Sequence, residues 1–219
     1  MNSNPQDGTS VKKYGLALHT ASRELGLAIS NFAGDSRCKT WNLDRDLATH
    51  LHQYLVEFIG PQTWADLAFI AVAKGPGGFT GTRMGMVTAR TLAQQLDIPV
   101  FAVSTLAAMA CSSSKKSISN QDMAVQMPAQ RGQLFGAVYS INKDSGLTEL
   151  FPDTVMTAES WQEKLESWEK SYQLIEVGSE LGWSVSSVLE LAYLEWQMGS
   201  RPDWSDALPF YGQHPVKGH

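Results

Sequence analysis

Residues 74–83 read Lys74-Gly75-Pro76-Gly77-Gly78-Phe79-Thr80-Gly81-Thr82-Arg83. Ahead of them, Leu67 to Ala73 (LAFIAVA) is a short apolar run that reads as a buried strand. Behind them, Thr82 to Leu96 contains no proline and carries small, apolar and polar residues at helical spacing, which predicts a helix. A strand, a tight glycine loop and a helix leave unpaired backbone N–H groups at the helix N-terminus, where an anion can be held. The glycines supply positive φ or a close backbone approach. Gly77, Gly78 and Thr80 are the residues that a nucleotide phosphate would contact here. As a nucleotide signature the loop is incomplete, because Thr80 stands where a third glycine belongs and no Gly-Lys-Ser/Thr closes it. On the glycines alone, a strand-to-helix corner without a ligand is the stronger reading.

Along the predicted helix Gly81, Gly85, Ala89 and Ala93 recur at helical spacing and share one side. Such a stripe lets another element approach closely, either this protein's own sheet or a partner helix. Met84, Val87 and Leu92 supply apolar contacts.

Working outward, Tyr14 to His19, Leu25 to Ser30 and Arg37 to Leu43 predict three strands in an antiparallel meander. Asp44 or Asp46 then caps a helix to about Ile59, with Leu47, Leu51, Leu55 and Phe58 on one stripe, and Gly60-Pro61 ends it. Val100 to Val103 is a strand, and Ser104 caps a helix to about Cys111. The order β-β-β-α-β-α-β-α is that of a ribonuclease-H-like lobe. The serine-rich stretch at 112–120 reads as a linker. Beyond it come strands at Asp122 to Met127, Gln133 to Ile141 and Gln173 to Val177, and helices from Thr157 to about Trp168 and from Ser187 to Met198. The predicted organisation is therefore a disordered tail over 1–12, a first lobe over 13–111, the linker over 112–120 and a second, shortened lobe over 121–219.

The 219 residues are 43% hydrophobic and 18% charged, as in an ordinary globular protein. A net charge of −5 argues against RNA binding by the chain's own electrostatic footprint. Cys38 and Cys111 form neither a disulfide framework nor a zinc set, so a reducing cytoplasm is the expected compartment. No apolar run reaches membrane-spanning length.

The run GPGGFTGTRMGMVTARTLAQQLDIPVFAVSTLAAMA, residues 75–110, resembles the signature segment of the TsaB family, also called YeaZ. The similarity extends from about Tyr14 to about Val138. It implies an α/β fold of the actin/hexokinase-like type: a ribonuclease-H-like lobe with a mixed sheet, followed by a truncated lobe of the same kind. It also implies a catalytically silent adaptor, supporting a TsaD-like enzyme that transfers threonylcarbamoyl to adenosine 37 of tRNA. The implied partners are that subunit, through it a TsaE-like ATPase, and a second copy of the chain when alone. Contact with tRNA would be indirect. By the resemblance the interface is a bundle built on the helices at 44–59 and 82–96, with Leu51, Leu55, Arg83, Gly85, Met86, Ala89 and Ala93 in it. No firmly bound cofactor is implied; ATP or ADP at the partner interface is compatible with it.

The residues depart from that family in two places. Where TsaB proteins have Ile-Asp-Thr at the end of the first strand, this chain has Leu18-His19-Thr20. Where the second lobe opens on Asp-Ala-Arg, this chain has Pro128-Ala129-Gln130-Arg131. Mg²⁺ takes carboxylate and water oxygens, which His19 and Pro128 do not provide. His50 and His52 are two apart and fall on different helix faces, which is wrong for a shared metal. The expectation is no catalytic and no metal-binding residue. The rival class is a stand-alone nucleotide-dependent enzyme, a phosphotransferase or a glycoprotease-like peptidase, using the glycine loop at 75–81. The missing carboxylates count against it. Arg83 beside the loop could reach an anion or a partner carboxylate. The tryptophans of the second half read as core.

Overall fold

A computed structural model of the chain describes residues 13–114, 121–142, 146–210 and 212. The predicted tail at 1–12 and most of the predicted linker, 115–120, lie outside the described residues.

The first sheet holds β1 (Tyr14–His19), β2 (Glu24–Ser30), β3 (Ser36–Asn42), β4 (Leu67–Ala73) and β5 (Val100–Val103) in the order β3-β2-β1-β4-β5. Neighbours β1, β2 and β3 run antiparallel, whereas β4 lies parallel to β1 and β5 parallel to β4. β4 is buried along its whole length, as a continuous apolar run between two parallel neighbours requires. Between the strands run α1 (Leu47–Ile59) and α2 (Phe79–Leu96), and α3 (Thr105–Ser114) follows β5. The second sheet repeats this plan with one strand fewer. β6 (Asp122–Pro128), β7 (Gln133–Asn142), β8 (Gly146–Thr157) and β9 (Tyr172–Glu176) lie in the order β8-β7-β6-β9, with β9 parallel to β6. Its helices are α4 (Ala158–Glu166), capped by the Thr157 side chain, and α5 (Val185–Gln197). The fold is thus α/β with a ribonuclease-H-like lobe and a truncated second lobe, as the sequence predicts.

Two differences from the sequence expectation have physical causes. α2 begins at Phe79 rather than Thr82, because the glycine loop ends at Gly78. β8 carries no strand signal in the sequence; it is an edge strand interrupted by Pro152 and largely half-exposed, so it shows no clean alternation. The two halves interlock. α5 packs on β1, β2, β4 and β5 of the first sheet, while α3 packs on β6 and β7 of the second. The two helices exchange sheets and meet between them in one apolar core that includes Ala17, Phe69, Leu106, Val125, Tyr139, Val188 and Ala192.

Polar bonds reinforce that core. Ser104 Oγ donates to Asp153 Oδ2 at 2.6 Å, Tyr139 OH donates to Asp153 Oδ1 at 2.6 Å, and Gly182 N donates to Glu24 Oε2 at 2.8 Å. α1 and α2 cover the other face of the first sheet, with Leu51, Leu55, Met86, Ala89 and Ala93 in a second core. No described helix is long and apolar enough to cross a membrane.

Candidate functional site

A cleft of about 1130 Å³ opens between the lobes, beneath the glycine loop. The first lobe contributes the β1–β2 turn, the loop at Gly77 and Gly78, and the opening turns of α2 with Thr80 and Thr82; the second contributes the β6–β7 turn and the strip after β9. The predicted phosphate contacts Gly77, Gly78 and Thr80 are therefore brought together on one wall.

The loop glycines do different jobs. Gly75 has φ +100°, and a Cβ there would sit 2.6 Å from the Phe210 carbonyl oxygen. Gly77 has no positive φ; a Cβ there would run into Ala21, whose own Cβ is 2.7 Å away. Gly78 lies at φ −62°, ψ 120°, and a Cβ would meet nothing nearer than 3.5 Å. The expectation of positive φ or a close backbone approach thus holds at Gly75 and Gly77 and fails at Gly78. The stripe on α2 has the same kind of origin. Side chains at Gly81 and Gly85 would collide with Thr20, whose Oγ1 donates to the Gly81 carbonyl at 2.8 Å. The first turns of α2 are pressed onto the β1–β2 turn, and small residues permit it.

That packing changes the reading of the proposed interface. Leu51 is 0% and Leu55 2% exposed, and Gly85, Met86, Ala89 and Ala93 are buried against this protein's own sheet. Of the seven residues assigned to a partner, Arg83 alone is exposed. The outward sides of α1 and α2 instead show Val56 (61%) and Val87 (63%), which are large apolar groups in water, while the exposed Phe79 (55%) belongs to the cleft lining. An amphipathic helix spends its regular apolar stripe on its own core, so its exposed apolar residues are those that break the pattern.

At the two positions where the family carries carboxylates, this chain has His19, buried beside the cleft, and Pro128 in its lining. His19 ends β1 opposite Gly26, is fully buried, and neither ring nitrogen has a hydrogen-bond partner among the described residues. Burial pushes its pKa down from 6.5 to about 4, so the ring is neutral at physiological pH. Pro128 offers no side-chain oxygen. The donor set does not fit a Mg²⁺-nucleotide, and no cluster of His, Cys, Asp and Glu suited to a metal occurs among the described residues.

What lines the cleft instead is arginine. Arg23, Arg45, Arg83 and Arg131 are four of the chain's seven, and among the described residues Asp44 is the one carboxylate in the lining, 3.5 Å from Arg23. Arg131 is held in the left-handed region at φ 59°, ψ 33° at the tip of the β6–β7 turn. Arg83 lies over the Phe79 ring at 4.7 Å. Thr82, 1% exposed and part of the lining, has an Oγ1 without a partner among the described residues. Sequence reasoning singled out Arg83 and missed the other three, because they come from three separate turns that only the fold brings together.

Comparison with known proteins gives a consistent picture. The family model described as TsaD, tRNA N6-adenosine threonylcarbamoyltransferase, matches residues 59–180. A TsaB protein of Buchnera aphidicola (subsp. Acyrthosiphon pisum), described as a tRNA threonylcarbamoyladenosine biosynthesis protein, is 31% identical over 135 residues, 61% of each chain. Its Bacillus subtilis counterpart is 38% identical over 102 residues, 46% of this chain and 42% of the relative. The matches thus span less than two thirds of those relatives. A crystal structure of a Pseudomonas aeruginosa protein, described as similar to peptidase YeaZ, superposes with a TM-score of 0.76 at 21% identity, covering 91% of this chain and 99% of that one. At that identity the likeness establishes the fold.

Proposed function

Because this chain belongs to the family that the TsaD model describes, and within it to the TsaB (YeaZ) group, we propose that it is a non-catalytic adaptor in the synthesis of threonylcarbamoyladenosine on tRNA. It supports a TsaD-like transferase, works through it with a TsaE-like ATPase, and pairs with a second copy of itself when that subunit is absent. Contact with tRNA runs through the catalytic partner.

One observation carries the adaptor reading. Val56 and Val87 stand exposed on the outward sides of two neighbouring helices whose inner sides are fully used at home. Large apolar groups exposed on adjacent helices point to a protein–protein contact rather than a catalytic centre. The replacement of both family carboxylates, by the buried His19 and by Pro128, supports the same reading.

The test is a pair of variants, Val56→Arg and Val87→Arg, examined with a TsaD homologue from the same organism. A surface change away from packed features alters stability by no more than about 0.5 kcal/mol, so both should melt like the parent. They should elute as monomers by light scattering and fail to capture the homologue. Undiminished capture by both variants removes this face from the assembly. Mg²⁺-dependent ATP turnover by the parent chain alone, lost on Gly77→Val, would replace the adaptor reading with an enzymatic one.

A further inference from the structure

The arginine-lined cleft is not accounted for by an adaptor whose contacts lie on the outer face of α1 and α2. Its volume, about 1130 Å³, exceeds the roughly 300–1,000 Å³ of most small-molecule sites. Its rim is basic from both sides: Arg23, Arg45 and Arg83 stand on the first lobe and Arg131 on the second, against Asp44 alone among the described residues. Asp44 already partners Arg23. On a chain of net charge −5 this is a local inversion of sign, and it selects an anion. Two further features serve an anionic group at the α2 end. Gly78 provides no side-chain cap for α2, whose opening N–H groups face the cleft wall, and the buried Thr82 hydroxyl there has no partner among the described residues.

The floor decides which anion. Met127, Val177 and Leu181 are buried in the core, but the half-buried Phe135 and Phe210 and the exposed Phe79 (55%) are apolar lining that a phosphate group would leave unused. Arginine together with Phe and Met is the composition of a protein-recognition surface. A large polyanion would also meet the surrounding acidic surface. A short segment feels the cleft alone, since charges are screened beyond about 8 Å at physiological salt. With no carboxylates to hold a bridging metal, the anionic groups are taken by the arginines directly, in the bidentate geometry that suits a carboxylate.

We propose that the interlobe cleft is a docking groove for an extended peptide segment of a partner protein in which acidic and apolar residues alternate. Carboxylates pair with Arg45 and Arg131 on opposite rims, and the apolar side chains between them lie on Phe135 and Phe210. The groove is separate from the outer helix face, so its failure and the failure of the adaptor reading are distinguishable: Val87→Arg leaves the groove intact, and groove variants leave Val87 exposed.

The experiment is fluorescence anisotropy on the full chain at low salt. The probe is a fluorescein-labelled 12-residue peptide, Asp-Phe-Glu-Leu repeated, and the control carries Asn and Gln in place of the acids. The variant is Arg45→Gln with Arg131→Asn, since asparagine tolerates the left-handed backbone at that turn. Saturable binding of the acidic probe is expected. The neutral control and the double variant should each bind at least about tenfold more weakly, a loss of about 1.4 kcal/mol, and the variant should keep its melting temperature. No saturable binding, equal binding of the neutral peptide, or indifference to the two arginines overturns the proposal. So does tighter, arginine-dependent binding of a labelled single-stranded RNA 12-mer or of Mg²⁺-free ATP, which would make the groove a phosphate site.

Discussion

Replacing His19 by leucine should flatten the acid limb of this protein's stability curve. The imidazole is fully buried at the end of β1, neither nitrogen has a partner among the described residues, and burial lowers its pKa from 6.5 to about 4. As pH falls, the unfolded chain takes up the proton first. Between pH 6.5 and about 4 the unfolded state therefore holds more protons, and stability decreases on acidification through that window. The gap between the two values corresponds to about 3 kcal/mol, and the portion falling between about pH 7.5 and pH 5 is about 2 kcal/mol. His19→Leu abolishes this contribution and removes two unpaired buried nitrogens, each of which costs about 1–3 kcal/mol. Urea unfolding of parent and variant across that pH range gives the difference directly, because carboxylate titrations common to both cancel. The variant should be at least as stable near neutrality and lose about 2 kcal/mol less on acidification. Parallel curves would refute the reasoning and show that His19 accepts its proton without penalty.

Two further outcomes test the packing around the glycine loop. Gly75→Ala and Gly77→Ala should each destabilise by about 1–3 kcal/mol in thermal melts, the first by backbone strain and the second by collision with Ala21, whereas Gly78→Ala should stay within about 0.5 kcal/mol. Equal effects at all three positions would contradict the separate roles assigned here. Ala89→Leu, at a site with 0% exposure, should cost about 1–3 kcal/mol through overpacking and lower the melting temperature while the folded fraction keeps its partner binding. An unchanged melting temperature together with lost capture of the partner would return Ala89 to the interface.

Much of the first lobe was legible because each element carries its own punctuation. The apolar run LAFIAVA stops at a glycine loop, the leucine stripe of α1 stops at Gly60-Pro61, and Ser104 caps α3, its Oγ accepting from Ala107 N at 3.2 Å. The stripe itself misled at the next level. Leu51, Leu55, Ala89 and Ala93 share a face, but periodicity cannot say whether the element opposite is this chain's sheet or another chain's helix. Only exposure settles it, and exposure belongs to the fold. α5 carries the same ambiguity, since its apolar face announces burial without naming the sheet. The cleft was legible in part: the glycine loop that forms one wall stands out in the sequence, while Arg23, Arg45 and Arg131 meet there only after both lobes have folded.

The exchange of α3 and α5 bears on what the cleft can do. Lobes that open and close around a nucleotide need a hinge crossed by few contacts. Here the first sheet is covered by a helix from the second half and the second sheet by a helix from the first, with a single core between them. The buried Asp153 carboxylate, its pKa raised mainly by desolvation, accepts from Ser104 of one lobe and Tyr139 of the other. Phe210 N donates to the Lys74 carbonyl at 2.7 Å, and the Phe210 ring lies 6.3 Å from that of Phe135, so the C-terminal strand of chain touches both lobes. Opening the cleft would expose that core and strand each of these buried polar groups at about 1–3 kcal/mol apiece. A cleft held at one width from both sides is poorly suited to a closure cycle and well suited to gripping a segment already shaped to it. The same stiffness benefits the outer face: α1 and α2 rest on a sheet that cannot shift relative to the rest of the molecule. Val56 and Val87 are therefore presented to a partner in a fixed arrangement, and little ordering entropy is lost on association.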